Sequence, residues 1–335
     1  MKVLNQPVIK WVLYGLLAVA LLTCPLYVNN SYVLHIVIIA AIWIILTTSM
    51  HLLLTTGLFT LGHAAFMGVG AYASALLTMK AGWSFWLALP MAGIIAALLA
   101  ATVGSIFLKV KGLLLAMITF AFGEAVLLTL THWPGPPDGI TGIPVPNPIV
   151  IPSVITIEFV GKAPFYFLVL FITVVTVFIL YRIEKSRLGR IFACINENDA
   201  LTESAGVNVH LFRLISFCIA CFFAGIAGSL YAHYHTYAAP KEFSVWASTL
   251  IFLFCVIGGT RSLAGPVVGA LFLTAIPELL RGARTYQSLM YAVLVLGVVF
   301  LLPDGLTSLP DRLRQLLQKH HDGKTAIEDN ADGTA

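Results

Sequence analysis

The chain has 335 residues, of which 59% are hydrophobic and only 10% are charged, and its mean hydropathy is +0.94. A soluble domain carries about 25% charged residues, so the composition excludes a water-soluble globule and, for most of the length, a disordered chain. The net charge of +4 is too small and too dispersed for a nucleic-acid-binding protein. Its five scattered cysteines do not form a disulfide framework.

Apolar runs of about twenty residues, the length that crosses the hydrocarbon core, recur along the chain. They predict an all-α polytopic integral membrane protein with about ten transmembrane or re-entrant helices, whereas a β-barrel would need alternating strands of about ten residues. The third, eighth and ninth runs are short or are interrupted by glycine or proline. The predicted spans are Trp11–Val28, Tyr32–Leu54, Leu61–Met79, Phe85–Leu108, Leu113–His132, Pro164–Tyr181, Leu211–Tyr231, Val245–Ile257, Pro266–Leu280 and Tyr286–Leu302.

The basic residues predict the orientation of these spans. With ten spans and a cytoplasmic N-terminus, fourteen of the nineteen lysines and arginines lie on the cytoplasmic side. Both termini are then cytoplasmic, the proline-rich loop 133–163 is periplasmic and the charged loop 183–208 is cytoplasmic. We expect a transmembrane permease domain over residues 1–303. The tail 304–335 is expected to be amphipathic and then disordered.

Sequence motifs of enzymatic chemistry are missing. The chain has no His-Glu-x-x-His zinc motif, no aspartate-rich pair for diphosphate and no glycine-rich nucleotide loop. Gly323-Lys324-Thr325 resembles the end of a phosphate loop, but Gln318 stands where the first glycine belongs. We therefore predict no metal, no cofactor and no enzymatic activity. If transport is powered by ATP, the ATPase must be another chain.

The cytoplasmic loop 183–208 is the strongest single feature of the sequence. Asn198 or Asp199 can cap a short helix, and Gly206 can end it. Such a short exposed helix is a rigid element that the groove of a soluble partner can bind. A solvated connector without a partner is the alternative interpretation.

Two segments rich in small residues indicate a membrane-depth pathway. Gly57, Gly62 and His63 lie in the first segment, and Gly258 and Gly259 lie in the second. Glycine-interrupted spans in two halves of a chain are typical of internally repeated transporters, so the sequence predicts an internal repeat and makes these residues pathway candidates. Tight helix packing without any contact to a ligand is the alternative.

Glu124 is the one acidic residue well inside a predicted span. A carboxylate in hydrocarbon costs about 2.5 kcal/mol or more, so Glu124 is expected to face the protein interior or water. Glu124 is therefore a further pathway candidate. A structural contact with a neighbouring span is the alternative, and the sequence does not decide between the two.

Taken in order, several motifs resemble the M-type (LivM-like) permease subunits of ABC importers for branched-chain amino acids. The resemblance runs from about Gly57 to Leu306, and each motif is weak alone but specific in this order. The motifs are Leu61-Gly62-His63-Ala64-Ala65-Phe66, Lys111-Gly112-Leu113, Phe122-Gly123-Glu124, Asp138-Gly139-Ile140-Thr141-Gly142-Ile143-Pro144, the loop Ser186–Gly206, Ala224-Gly225-Ile226-Ala227-Gly228, Gly258-Gly259, Gly265-Pro266-Val267-Val268-Gly269-Ala270 and Pro277-Glu278-Leu279-Leu280.

The resemblance implies an inner-membrane transporter with several partners. These are a second, H-type (LivH-like) permease subunit, two cytoplasmic ATP-binding cassette subunits and a periplasmic substrate-binding protein. Asn196, Leu201 and Thr202 depart from the family's pattern in the region that is expected to contact an ATPase. The coupling residues that the resemblance implies are Glu197, Asn198, Asp199, Ala200, Glu203, Ala205 and Gly206.

Other functions remain open at this stage. Relatives of this architecture also move urea, short amides or aromatic acids, and a sugar permease is the nearest alternative among importers. An ion-coupled secondary transporter is a more distant alternative, and a single buried acid argues against it. An intramembrane enzyme would need a set of catalytic polar groups at membrane depth, and the sequence offers no such set.

Overall fold

The computed structural model describes residues 31–132, 139–146, 149–151, 155–157, 161–279, 287–301 and 305–308. The predicted span Trp11–Val28 lies outside these ranges, as do the tail after residue 308 and parts of the loop 133–163. The helices are α1 (Ser31–Thr55), α2 (His63–Met79), α3 (Phe85–Phe107), α4 (Leu113–Thr131), α5 (Lys162–Glu184), α6 (Arg187–Glu197), α7 (Asp199–Ser204), α8 (Val209–His235), α9 (Val245–Gly258), α10 (Ala264–Leu279) and α11 (Gln287–Leu301).

The described ranges hold two small pairs of strands beside the helices. Strand β1 (Ile140–Thr141) pairs antiparallel with β4 (Tyr237–Ala238), and β2 (Ile149–Ile151) pairs antiparallel with β3 (Ile155–Ile157). A 3₁₀ turn over Pro240–Phe243 precedes α9, and a second one covers Leu306–Ser308. Because these strands are so few and short, the all-α prediction is confirmed.

Five helices are long and apolar enough to cross a membrane, namely α1, α3, α4, α5 and α8. Four shorter apolar helices, α2, α9, α10 and α11, stand where the other predicted spans were placed. The 14 residues of α9 rise about 21 Å, which is less than the hydrocarbon core of about 30 Å. The short or interrupted third, eighth and ninth runs of the sequence are therefore short helices.

Helix α8 lies at the centre of the packing, between α2 and α3. Residues on α3 at a spacing of four, from Ala88 through Ala92, Ala96 and Ala100 to Gly104, are all buried. Small side chains in a row let neighbouring helices approach closely in a membrane, where packing replaces the hydrophobic effect as the driving force. Helix α1 packs on α5, α8, α9 and α10, and so joins the two sides of the bundle.

Contacts between the connecting segments group them at two ends of the bundle. At one end, Lys111 before α4 contacts Asp199 of α7. At the other end, His233 Nδ1 lies 2.7 Å from the Pro144 carbonyl oxygen, and β1 pairs with β4. Each group contains segments that the count of basic residues assigns to a single side of the membrane.

Candidate functional site

Local residues determine where the short helix α7 begins and ends. Asn198 is its N-cap, because the Asn198 Oδ1 accepts a hydrogen bond of 3.0 Å from the backbone N–H of Leu201. At the other end, Gly206 adopts a φ of +83°, which favours glycine, and its N–H donates to the carbonyl of Glu203. The N–H of Val207 donates to the carbonyl of Thr202, which completes a Schellman ending. The predicted start and end of this helix are confirmed.

Asp199 fastens α7 to two other parts of the bundle. The Arg213 Nη2 donates to both carboxylate oxygens of Asp199, at 2.8 and 2.6 Å, and the Lys111 Nζ lies 2.6 Å from Oδ2. Arg213 belongs to the first turns of α8, whereas Lys111 lies in the turn between α3 and α4. The side chain of Arg213 is 8% exposed and that of Lys111 is 61% exposed, so the contact with Arg213 is the stronger one.

The charge of Asp199 persists at neutral and mildly acidic pH. Partial burial alone would raise the pKa of this carboxyl group, but the hydrogen bonds and positive charges of Lys111 and Arg213 outweigh burial and lower the pKa. A carboxylate whose pKa is lower in the folded chain stabilises the folded state at pH values above its pKa in the unfolded chain. That stabilisation is lost only as the pH falls through the lower pKa of the folded chain. The contacts of Asp199 are therefore intact at physiological pH.

The remaining predicted coupling residues divide between two sides of α7. Asp199 and Thr202 point toward the bundle, and Thr202 is buried. Leu201 points outward with 69% of its surface exposed, so it presents an apolar side chain on the outer side of α7. The exposed residues around α7 are Glu197, Asn198, Ala200, Leu201, Glu203, Ser204, Ala205 and Gly206.

Helix α6 precedes α7 and was not separated from it in the sequence prediction. Ser186 caps α6 by accepting a hydrogen bond of 3.1 Å from the N–H of Leu188. Its buried residues, Phe192 and Ile195, pack on the bundle at helical spacing. That spacing, after a serine, was the available signal for a second helix. The loop is thus two helices that meet at Asn198.

Two of the predicted pathway residues, Gly62 and His63, lie at the start of α2. A Cβ on Gly62 would lie 2.7 Å from the carbonyl oxygen of Thr119, so α2 and α4 touch through their backbones here. His63 is 1% exposed, and its Nε2 lies 2.8 Å from the hydroxyl of Ser49. These contacts are of the kind expected from tight helix packing, and the pathway role of Gly62 and His63 stays a prediction.

Gly258 is the last residue of α9, and Gly259 begins the turn to α10. A Cβ on Gly258 would overlap the carbonyl oxygen of Gly265, and Gly259 has a φ of +109°. Val245, at the other end of α9, faces Gly123, which lies beside Gly62 just before α2. The length of α9 therefore separates the pair Gly258 and Gly259 from Gly62. The internal repeat stays a prediction.

Gly57 lies at the same end of the bundle as α7. It follows α1 with a φ of +74°, and a Cβ there would lie 3.0 Å from the side-chain oxygen of Asn196 on α6. Gly57 therefore contributes to the contact between the end of α1 and α6, and its role in the pathway stays a prediction.

Glu124 lies on the side of α4 that faces away from the bundle. Met117, Phe120 and Leu128 follow the same side at helical spacing and are 60%, 46% and 57% exposed. Glu124 is half-buried, and no hydrogen bond or ion pair joins it to the described residues. Glu124 was expected to face the protein interior or water, and its role in the pathway stays a prediction.

Sequence reasoning missed the two partners of Asp199. Arg213 entered the prediction only among the basic residues that set the orientation, and Lys111 entered there and in the family motif Lys111-Gly112-Leu113, but neither was predicted to contact Asp199. The signal that could have found Arg213 is its place in the first turns of an apolar helix, where a cation needs a counter-charge. The described residues contain no group of three or more His, Cys, Asp or Glu side chains that could hold a metal ion.

Comparison with known proteins identifies the family of this chain. The model of a family described as the branched-chain amino acid transport system permease component matches residues 32–302. The chain belongs to this family. It is therefore a permease component and a multi-pass membrane protein, not itself an enzyme.

The individual relatives are permease proteins as well. The chain is 30% identical over 318 residues to the high-affinity branched-chain amino acid transport system permease protein LivM of Escherichia coli (strain K12), covering 89% of this chain and 74% of the relative. The same values hold for LivM of Salmonella typhimurium. The autoinducer 2 import system permease protein LsrC of Klebsiella pneumoniae is 26% identical over 224 residues, covering 64% of this chain and 59% of the relative. No solved structure matches the chain significantly.

Proposed function

We propose that this chain forms one half of the translocation pathway of an ABC importer that moves branched-chain amino acids across the inner membrane. The match to two LivM proteins over most of the chain supports this substrate class. The partners in the proposal are a second, LivH-like permease subunit, two ATP-binding cassette subunits and a periplasmic substrate-binding protein. The chain itself makes and breaks no bond in the solute.

The observation that carries the proposal is the geometry of α7. One side of this helix is tied by Asp199 to Arg213 at the start of a central helix, and the other side exposes Leu201 to solvent. A motor protein that binds the outer side can thus move α8 through a short, rigid connection. We therefore assign α7 as the coupling helix and place it, with both termini, on the cytoplasmic side.

The coupling role predicts a large effect at Leu201. Leu201→Glu places a charge at the centre of the proposed ATPase contact, and we expect ATP-driven leucine uptake to fall at least about tenfold, as for a central interface residue. Co-purification of the ATPase with the chain reports the lost contact directly. Trp83→Glu, at a partly exposed tryptophan at the opposite end of the bundle, is the matched control. Undiminished uptake and ATPase recovery with Leu201→Glu would refute the assignment of α7.

Glu124 is proposed to face the translocation pathway at the junction with the second permease subunit. An ionised carboxylate that faced lipid would cost about 2.5 kcal/mol or more, and the described part of this chain offers it no partner. The exposed side of α4 around Glu124 is otherwise apolar, as expected of a surface that a second membrane subunit covers.

The proposal for Glu124 predicts slower transport without loss of assembly. Glu124→Gln keeps the shape of the side chain and removes its charge, so we expect the initial rate of leucine uptake to fall about tenfold. The amount of assembled complex in the membrane should stay the same. Thr102→Val, at an exposed residue of α3, is the control for a polar change outside the pathway. Unaltered uptake by Glu124→Gln would favour a structural role for this residue.

A further inference from the structure

A cavity of about 250 Å³ lies between α1, α2, α8 and α9. Its wall is apolar and includes Ile39, Ile42 and Leu46 of α1 and Leu250 of α9. Pockets for drug-sized ligands measure about 300–1,000 Å³, so this cavity has room for a smaller solute only. None of the residues predicted from the sequence as pathway candidates lines it.

One end of the cavity carries two opposite charges. Lys241 and Glu242 are consecutive residues of the 3₁₀ turn before α9, and both line the cavity. No ion pair joins Lys241 to Glu242 or to any other described residue. The hydroxyl of Tyr231 donates to Oε2 of Glu242, and no described residue donates to Oε1. The charged end therefore offers a cation and an anion side by side.

The first turn of α9 adds neutral hydrogen-bonding groups to the same end. Ser244 is the N-cap of α9 and lines the cavity, yet its side chain makes no capping hydrogen bond. The N–H groups of Val245 and Trp246 have no acceptor among the described residues. A carboxylate at this position would be favoured by these donors, by the positive end of the helix dipole and by Lys241.

We propose that this cavity is a binding site for a zwitterionic amino acid with a small aliphatic side chain. The α-ammonium group pairs with Glu242, the α-carboxylate pairs with Lys241 and the start of α9, and the side chain lies against the wall formed by α1 and Leu250. This inference rests on the proposed import function and names the place where this chain receives its substrate. Lys241 follows β4, which pairs with β1 of the loop expected to be periplasmic, so the site accepts solute that arrives from outside.

The pairing of groups favours an amino acid over other small solutes. A sugar would leave Lys241 and Glu242 without charged partners and would place hydroxyl groups against an apolar wall, which costs free energy. A fatty acid or an alkylamine would satisfy only one of the two charges. The 3₁₀ turn is held in place because Phe243 packs against Gly68 of α2, so the two charges are positioned before a solute binds.

The test uses membrane vesicles that contain the complete transporter, with radiolabelled leucine as the probe. Ala247→Phe fills the cavity, whereas Lys241→Gln and Glu242→Gln each remove one charge. We expect each variant to lower the initial uptake rate about tenfold or more. ATP hydrolysis and complex assembly should stay within about twofold of the wild type. Lys80→Gln, which neutralises an exposed lysine outside the cavity at the same end of the bundle, is the control.

The outcomes separate this inference from the function on which it rests. Near-normal leucine uptake by assembled Ala247→Phe transporter, or by both charge variants, would overturn the cavity assignment while leaving the import function in place. Wild-type vesicles that take up neither leucine, isoleucine nor valine would overturn the proposed substrate and the cavity assignment together. If Ala247→Phe does not assemble, the two charge variants decide the question, because both alter exposed side chains.

Discussion

Asp199→Asn is expected to abolish ATP-driven uptake while the chain still inserts and assembles. The substitution leaves the guanidinium of Arg213, which is nearly buried, without its counter-charge. Removing one partner of a buried ion pair costs about 3–5 kcal/mol, and the partial exposure of Asp199 places this case at or below the lower end. Either α7 detaches from α8 or Arg213 moves out to water. In both cases the movement of a motor bound to α7 no longer reaches the central helix.

Two matched variants separate the loss of the pair from other effects. Lys111→Gln removes the exposed partner of Asp199, and because exposed pairs contribute about 0–1 kcal/mol, uptake should change little. The double variant Asp199→Arg with Arg213→Asp restores opposite charges and should recover part of the uptake. ATP hydrolysis measured beside leucine uptake distinguishes an uncoupled transporter from an unassembled one. Full uptake by the Asp199→Asn variant would show that the ion pair between Asp199 and Arg213 does not transmit movement from α7 to α8.

Gly228→Ala is expected to destabilise the bundle strongly for a change of one methyl group. The added Cβ would overlap the carbonyl oxygen of Met67 and would lie 2.9 Å from the backbone N of Ala71. Both atoms belong to the backbone of α2, so α2 and α8 must separate. Overpacking of this kind costs about 1–3 kcal/mol. The expected result is a lower unfolding temperature of the detergent-solubilised chain.

Gly297→Ala is the matched control for this prediction. Gly297 lies in α11, and among the described residues no atom outside its own helix backbone and chain neighbours lies within 4 Å of the position that its Cβ would take. Replacing a helical glycine by alanine without a clash gains up to about 1 kcal/mol of helix propensity. The unfolding temperature of Gly297→Ala should therefore equal or exceed that of the wild type. Equal unfolding temperatures for Gly228→Ala and the wild type would contradict the close contact between α2 and α8.

The long spans and the cap of α7 could be predicted because local sequence determines them. Helix α1 follows from an uninterrupted apolar run, and the ends of α7 follow from Asn198 and Gly206. The buried residues Ala88, Ala92, Ala96, Ala100 and Gly104 on α3 carried a further signal, a row of small residues at a spacing of four, that was not used.

The partners of the predicted site residues could not be derived in the same way. Asp199 meets Lys111 across nearly ninety residues of chain, and the hydroxyl of Ser49 meets His63 from another helix. Such contacts depend on how the helices pack, and hydrophobic periodicity does not determine the order of neighbours in an all-apolar bundle. The same limit applies to the cavity, whose charged end and apolar wall come from helices far apart in sequence.

The central claim is that this chain is a permease moved by a separate ATPase through α7. The most direct measurement is leucine accumulation in liposomes that contain the purified chain with its second permease subunit, with and without the ATPases, ATP and the substrate-binding protein. We predict accumulation only when all of these components and ATP are present, and none with a proton or sodium gradient alone. Concentrative uptake by the purified chain driven by an ion gradient, without any ATPase, would contradict the account.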